Sequence, residues 1–223
     1  MSLHPTITFT RYRGHAVETA PAVEPLTADE LRAYLVETEA ALPDSEANDY
    51  IKEARNLIEE MTGLALITQE WRMALDAWPY LRGEWWSGVR EGSIAELHGK
   101  PAQVILPRYP LQAIDSVTVY DTDGTGTTVT VASVFDVDTY QKPGRMALKS
   151  GATWPVAMRE INAIEIVYTA GFGDAATAVP PVVKRAVKQI AAYLYARKGD
   201  DCGADDALAA AGSLLDAYRV KRL

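Results

Sequence analysis

Few side chains in this sequence stand in patterns that enzymes use for chemistry. Its three histidines, His4, His15 and His98, lie far apart, and none has a second metal ligand at a typical spacing. Cys202 is the single cysteine, which excludes an internal disulfide or a cysteine-based metal cluster, and no histidine-containing motif accompanies it as a catalytic partner. The sequence therefore predicts no metal centre, no bound cofactor and no catalytic site.

Two loops resemble ligand-binding motifs only in part. The segment Asp-Thr-Asp-Gly-Thr at 121–125 begins like a calcium loop, but Ala132 stands where such a loop needs a glutamate, so a hairpin turn is favoured. The segment Gly-Phe-Gly at 171–173 lies between a predicted strand and a predicted helix, like a phosphate-binding turn. Its third glycine is missing, and the double proline at 180–181 removes N–H donors, which argues against nucleotide binding.

Charge is distributed unevenly along the chain. The net charge is −8, and residues 24–60 contain eleven acidic and three basic side chains, whereas residues 181–199 contain five basic and no acidic ones. Surfaces of opposite charge would let identical copies dock head to tail, although solvated helix faces explain the same pattern. The candidate subunit-contact residues are Lys184, Arg185 and Lys188 on the basic side, and Glu53, Glu59 and Glu60 on the acidic side.

Two adjacent tryptophans, Trp85 and Trp86, lie in a long segment at 80–101 that contains several glycines. Exposed aromatic side chains in a loop indicate a contact surface. The alternative is that they fold back and cover the sheet. The basic helix after residue 181 could touch nucleic acid, but an acidic chain with little aromatic interleaving is not typical of a dedicated nucleic-acid binder.

The elements that would carry these residues predict an α+β fold. The segment Thr-Ala-Asp-Glu at 27–30 is a capping box for a first helix, which Pro43 ends, and a second helix runs to Gly63. The apolar period then changes from helical to alternating, which predicts short antiparallel strands, until helices resume after 180–181. We expect a small helical bundle of two N-terminal and two C-terminal helices (27–63 and 179–223), an inserted antiparallel β domain (64–178) and an N-terminal arm (1–26) that is extended or forms a loosely packed strand.

Composition limits the remaining classes. The chain has 223 residues, of which 48% are hydrophobic and 23% charged, as in ordinary globular proteins. No apolar run approaches the ~20 residues needed to cross a membrane, and the first residues do not form a secretion signal. With a single cysteine, the composition fits a protein made in a reducing cytoplasm.

Several motifs follow one another in an order known from one protein family. They are Trp71 with Leu-Asp-Ala-Trp-Pro at 75–79, Ile-Leu-Pro-Arg-Tyr-Pro-Leu at 105–111, Ile-Asp-Ser-Val-Thr-Val-Tyr-Asp at 114–121, Thr-Trp-Pro at 153–155, Ile-Glu-Ile-Val-Tyr-Thr-Ala-Gly-Phe-Gly at 164–173, Val-Pro-Pro at 179–181 and Tyr-Ala-Arg at 195–197. Through these motifs, residues 27–200 resemble the head–tail connector (adaptor, or head-completion) proteins of long-tailed phages and of phage-like gene transfer agents.

That resemblance implies a structural role without enzymatic activity. Proteins of the family form rings, commonly dodecamers, beneath the portal protein and receive stopper or tail components, while DNA passes through the channel without specific binding. The resemblance implies a place in the neck of a virion or phage-like particle, assembly in the bacterial cytoplasm, no cofactor and no membrane contact. It also maps a portal contact onto the region after residue 205, including Arg219, Lys221 and Arg222.

Two other functions stay open at the level of the sequence. A soluble β module could bind a glycan or protein ligand through Trp85 and Trp86, and would then be a stable monomer that loses its ligand on Trp85→Ala. A hydrolase would need titratable groups that converge on a pocket, which the spacing of this chain does not suggest.

Overall fold

The structure is a computed structural model that describes residues 13–78, 103–198, 206, 209 and 211–219. Its elements in chain order are β1 (Arg13–Thr19), α1 (Ala28–Leu35), α2 (Asp44–Thr62), β2 (Gln69–Leu75), β3 (Gln103–Ile105), β4 (Leu111–Tyr120), β5 (Gly126–Val129), α3 (Val131–Val134), β6 (Phe135–Asp138), β7 (Arg145–Leu148), β8 (Ile164–Ala170), α4 (Pro181–Ala196) and α5 (Gly212–Leu215). Short 3-10 turns lie at Ala176–Ala178 and Asp216–Tyr218. Helices combined with antiparallel sheets confirm the predicted α+β class.

The N-terminal helices begin and end at the signals that the sequence contains. The predicted capping box is present at α1, where Glu30 N donates to Thr27 Oγ1 at 3.1 Å and Thr27 N donates to Glu30 Oε2 at 3.2 Å. Helix α1 ends well before Pro43, because Val36 leaves the helix with φ 61°. Helix α2 ends at Gly63, whose φ of 80° favours glycine.

The helices pack around one apolar cluster. Helix α4 contacts α1, α2 and α5, and α1 also contacts α2. Apolar residues at helical spacing along α4 predict a buried stripe, and they lie in this cluster: Val183, Ala186, Val187, Ile190, Ala191 and Leu194. The four helices therefore bury their apolar faces against one another, which is where most helical stability in proteins comes from.

The strands form two antiparallel sheets around a second apolar cluster. A five-stranded sheet has the order β1-β2-β8-β4-β5, and a three-stranded sheet has the order β3-β7-β6. Alternate residues of the central strands point into the cluster, among them Trp71 and Met73 of β2 and Ile166 and Tyr168 of β8. Phe135 of β6 reaches the same cluster, so the two sheets share one core.

Three elements differ from the expectations. The N-terminal arm contains strand β1, which pairs with β2 at the edge of the large sheet, so the sheet begins before the first helix. The sequence at 127–135 predicts one strand, but α3 divides this segment into β5 and β6. The last helix is short in the described residues, where α5 spans Gly212–Leu215 and a 3-10 turn follows. Strand β1 has few apolar side chains, which is why hydrophobic alternation did not reveal it.

Three described connections join the apolar clusters, from β1 to α1, from α2 to β2 and from β8 to α4. Segments 63–68, 107–110 and 171–173 meet there and are called the junction below. Backbone hydrogen bonds join these segments, including those from Ala65 N to Tyr109 O at 2.8 Å and from Gly171 N to Pro110 O at 2.9 Å. A side chain at Gly171, whose φ is 148°, would place its Cβ 2.6 Å from the backbone of Ile67, so this close approach requires glycine.

Candidate functional site

The predicted match between acidic and basic surfaces is made partly within one chain. Lys184 Nζ lies 3.6 Å from Glu30 Oε1, and Lys198 Nζ lies 3.4 Å from Glu46 Oε1. Helices α1 and α2 therefore already face α4 in the same molecule, with part of their opposite charge in contact. Lys184 thus has an intrachain ion-pair partner, and its contact with a neighbouring subunit stays a prediction.

The two other basic candidates remain on the surface. The side chain of Arg185 is exposed and that of Lys188 is half-buried. Within the described ranges, neither has a carboxylate oxygen within 4.0 Å. On the acidic side, Glu53 is exposed, and Glu60 is exposed with its carboxylate 2.9 Å from Arg108 Nη2. These residues are accessible to a partner, and whether they contact one stays a prediction.

Glu59 is buried, which contradicts its prediction as a subunit contact. Only 4% of this residue is exposed. Its Oε1 accepts hydrogen bonds from Leu66 N at 2.8 Å and Gln69 Nε2 at 2.7 Å, and its Oε2 accepts one from Arg55 Nη1 at 3.2 Å. Arg55 is in turn paired with Glu24 at 2.7 Å. The Glu59 carboxylate thus ties α2 to the start of β2 inside the molecule.

The buried position of Glu59 shifts the pKa of its carboxyl group. Burial raises the pKa of the Glu59 carboxyl above its usual range, while the Leu66 N–H and the Arg55 guanidinium act in the opposite direction. A buried carboxyl with a raised pKa is often a sign of a catalytic acid. Here both carboxylate oxygens accept hydrogen bonds from donors of the same chain, and these bonds join α2 to the start of β2.

Arg108 is a second buried link, which reasoning from the sequence did not identify as functional. Its Nη1 donates to the Glu59 carbonyl oxygen and its Nη2 to Glu60, while its guanidinium carbon lies 4.4 Å from the centre of the Trp71 ring. The signal was present in the motif Pro-Arg-Tyr-Pro at 107–110, where an arginine stands between two prolines in an otherwise apolar run. Arg108 therefore connects α2 with the core of the large sheet across the junction.

A stack of aromatic rings continues this arrangement to the sheet edge. The His15 ring lies parallel to that of Trp71, with centres 4.6 Å apart, and His15 Nε2 is 2.9 Å from the Tyr168 hydroxyl. Burial, assisted by the nearby charge of Arg108, lowers the pKa of His15 to about 4. His15 is therefore neutral at pH 7 and anchors β1 through stacking and a hydrogen bond.

The described residues offer an open cleft rather than an enclosed reactive pocket. A cleft of about 810 Å³ lies beside the starts of α1 and α2 and the turn at 174–176. Arg32 lies against it and contacts Asp29 and Asp44, each at 2.6 Å, so these carboxylates are engaged with a cation. In the part of the chain that the structure describes, no three His, Cys, Asp or Glu side chains are grouped to hold a metal ion. No described helix combines the length and apolar character needed to span a bilayer.

The predicted portal and ligand contacts are only partly covered by the structure. Arg219 is exposed, lies 3.7 Å from Asp216 and donates to Met61 Sδ at 2.9 Å, so the end of the described chain rests on α2. Lys221 and Arg222 lie outside the described residues, as do Trp85 and Trp86.

Solved structures, but no family model or curated protein, match this chain. A chain in the neck of an empty gene transfer agent particle, reconstructed with C6 symmetry, is 24% identical with a TM-score of 0.72, and the match covers 94% of this chain and 97% of that one. A chain in the virion of a native gene transfer agent particle is 24% identical with a TM-score of 0.69, over 94% and 96% of the two chains. A chain in the neck of a native particle, reconstructed with C12 symmetry, is 24% identical with a TM-score of 0.67, over 93% and 97%.

These matches extend over both apolar clusters and nearly the full length of each chain. The protein therefore has the fold of chains found in the virion and neck of gene transfer agent particles, as expected from its resemblance to head–tail connectors.

Proposed function

We propose that this chain is a structural adaptor in the neck of a phage or phage-like particle, where it forms a ring beneath the portal and joins the DNA-filled head to stopper or tail components. The observation that supports this most directly is the end-to-end fold match to chains from particle necks, which covers 94% of this chain. The order of motifs in the sequence points independently to the same class of protein.

A ring of identical copies fits the symmetry of those assemblies. The similar neck structures were reconstructed with C6 and C12 symmetry. A ring requires two different, complementary surfaces on each copy. Arg185, Lys188 and Glu53 are candidates for such surfaces, because they are accessible and without ion-pair partners in the described ranges.

The proposed role needs shape and not catalysis. Buried Glu59 and half-buried His15, both with a shifted pKa, are engaged in internal contacts. A net charge of −8 suits a channel through which DNA slides without being held, because affinity for DNA depends on neutralising its phosphates. The portal contact proposed for the C-terminal segment involves Arg219, Lys221 and Arg222.

Deleting the coding sequence in the genome that produces the particle tests this proposal. We expect heads without attached tails, visible by electron microscopy, and tailed particles again when the wild-type chain is supplied in trans. Complete tailed particles in the absence of this chain would refute the adaptor role. A map of the wild-type particle that lacks this fold between head and tail would refute it as well.

A further inference from the structure

Helix α1 ends in a conformation that its sequence does not favour. Val36 adopts φ 61° and ψ 38°, at a position where glycine or asparagine is usual. A β-branched residue in this left-handed region is a strained outlier. The side chain is nevertheless 89% exposed, so burial within the chain does not offset the strain. Strain combined with exposure indicates a side chain whose contact lies outside the isolated molecule.

The residues around Val36 form a small surface with apolar and acidic parts, which we name the α1 tip: Tyr34, Val36, Glu37 and Glu39. Tyr34 is 46% exposed, which adds aromatic area to the valine. Glu37 is half-buried and Glu39 is exposed. Neither glutamate has a cationic partner within 4.0 Å in residues 13–78 or the other described ranges.

Helix α4 carries a surface of matching composition, which we name the α4 outer face: Val182, Arg185 and Lys188. These residues recur at a spacing of three along the helix, away from the buried stripe. Val182 is 44% exposed. As described above, the two cations have no described ion-pair partner, whereas Lys184 on the same helix is paired with Glu30.

We propose that the α1 tip of one copy docks on the α4 outer face of the next copy. Val36 would pack on Val182 while Glu37 and Glu39 approach Arg185 and Lys188. No ion pair joins the two surfaces within the described part of one chain, and they bear opposite charge on one molecule. Two different surfaces that fit each other on identical copies give head-to-tail association, which forms a ring when the rotation from copy to copy closes after a full turn. The inference rests on the ring proposed above and specifies its contact.

Disulfide trapping tests this contact directly. In a chain with Cys202→Ser, the pair Val36→Cys and Val182→Cys should give a ladder of covalent oligomers on oxidation, because each copy can link to two neighbours. In the matched control, the second cysteine is placed at Val156 (Val156→Cys) and Val182 is kept. Val156 is 70% exposed and belongs to the β part, so this control should give several-fold less product above the dimer. About 0.5 M NaCl should weaken the ladder, since it screens surface charge.

Charge reversal supplies the second arm. Glu37→Lys with Glu39→Lys should abolish the ladder, and adding Arg185→Glu with Lys188→Glu in the same chain should restore it. A ladder no stronger than the Val156 control, also at high protein concentration, would overturn the proposal, as would a ladder that ignores charge reversal. A missing ladder together with tailless particles on deletion would refute only this contact, whereas a charge-dependent ladder with complete particles on deletion would refute the adaptor role.

Discussion

Replacing Glu59 with alanine should destabilise the isolated chain strongly. The change removes the acceptor of three hydrogen bonds and leaves the Leu66 N–H, the Gln69 amide and one Arg55 N–H without a partner. Removing one member of a buried ion pair costs about 3–5 kcal/mol. Arg55 keeps Glu24 as a second partner at 2.7 Å, so we expect a loss near the lower limit, about 3 kcal/mol.

The matched control is Glu53→Ala on the exposed side of the same helix. Its effect should stay within about 0.5 kcal/mol, as for most surface substitutions. Equilibrium unfolding in guanidinium chloride, followed by circular dichroism at low protein concentration, measures both variants. A Glu59→Ala chain as stable as Glu53→Ala would refute the buried network. If that stable variant also failed to assemble, the original prediction of Glu59 as a subunit contact would be supported instead.

Three further predictions concern other parts of the molecule. Gly171→Ala should lower the free energy of unfolding by about 3–5 kcal/mol, because backbone strain and overpacking add. Gly124→Ala, with open space around its Cβ, should lower it by about 1 kcal/mol. Equal shifts in the melting temperatures of the two variants would contradict the junction geometry. Folding lowers the pKa of His15 from 6.5 to about 4, so the unfolded chain takes up the proton first as the pH falls. The wild type should therefore lose at most about 3 kcal/mol of its free energy of unfolding as the pH falls from 6.5 to 4. The melting temperature of His15→Gln should depend less on pH than that of the wild type. Melting temperatures of the two proteins that change in parallel with pH would refute this prediction. Val36→Gly should raise the unfolding free energy of the monomer by about 0.5–1 kcal/mol, by removing left-handed strain; a loss of stability would show that Val36 is not strained.

The helices and most strands were predictable because their signals are local. The capping box at 27–30, the stripe on α4 and the alternation in β8 each depend on residues close together in sequence. Strand β1 lacked such a signal, because its place depends on pairing with β2 across the two intervening helices. Its main anchors, the stacking of His15 on Trp71 and its contact with Tyr168, are likewise distant in sequence.

The assignment of charged residues to surfaces was less predictable for a related reason. Glu59 and Glu53 have the same side chain on the same helix, yet only Glu59 meets donors from the segment that leads into β2. The count of acidic and basic residues along the chain does not distinguish ion pairs within a chain from ion pairs between chains. Lys184 with Glu30 and Lys198 with Glu46 are of the first kind.

The triple connection between the two apolar clusters has a mechanical consequence. A force that pulls the helices away from the sheets is divided among three covalent links, so no single hinge bears the full load. Hydrogen bonds at the junction stabilise two of these links. Those of Glu59 and Arg108 hold the link from α2 to β2, and that from Gly171 N to Pro110 O holds the link from β8 to α4. The molecule should therefore resist bending between its two parts and, when stretched in a single-molecule pulling experiment, yield in one cooperative rupture.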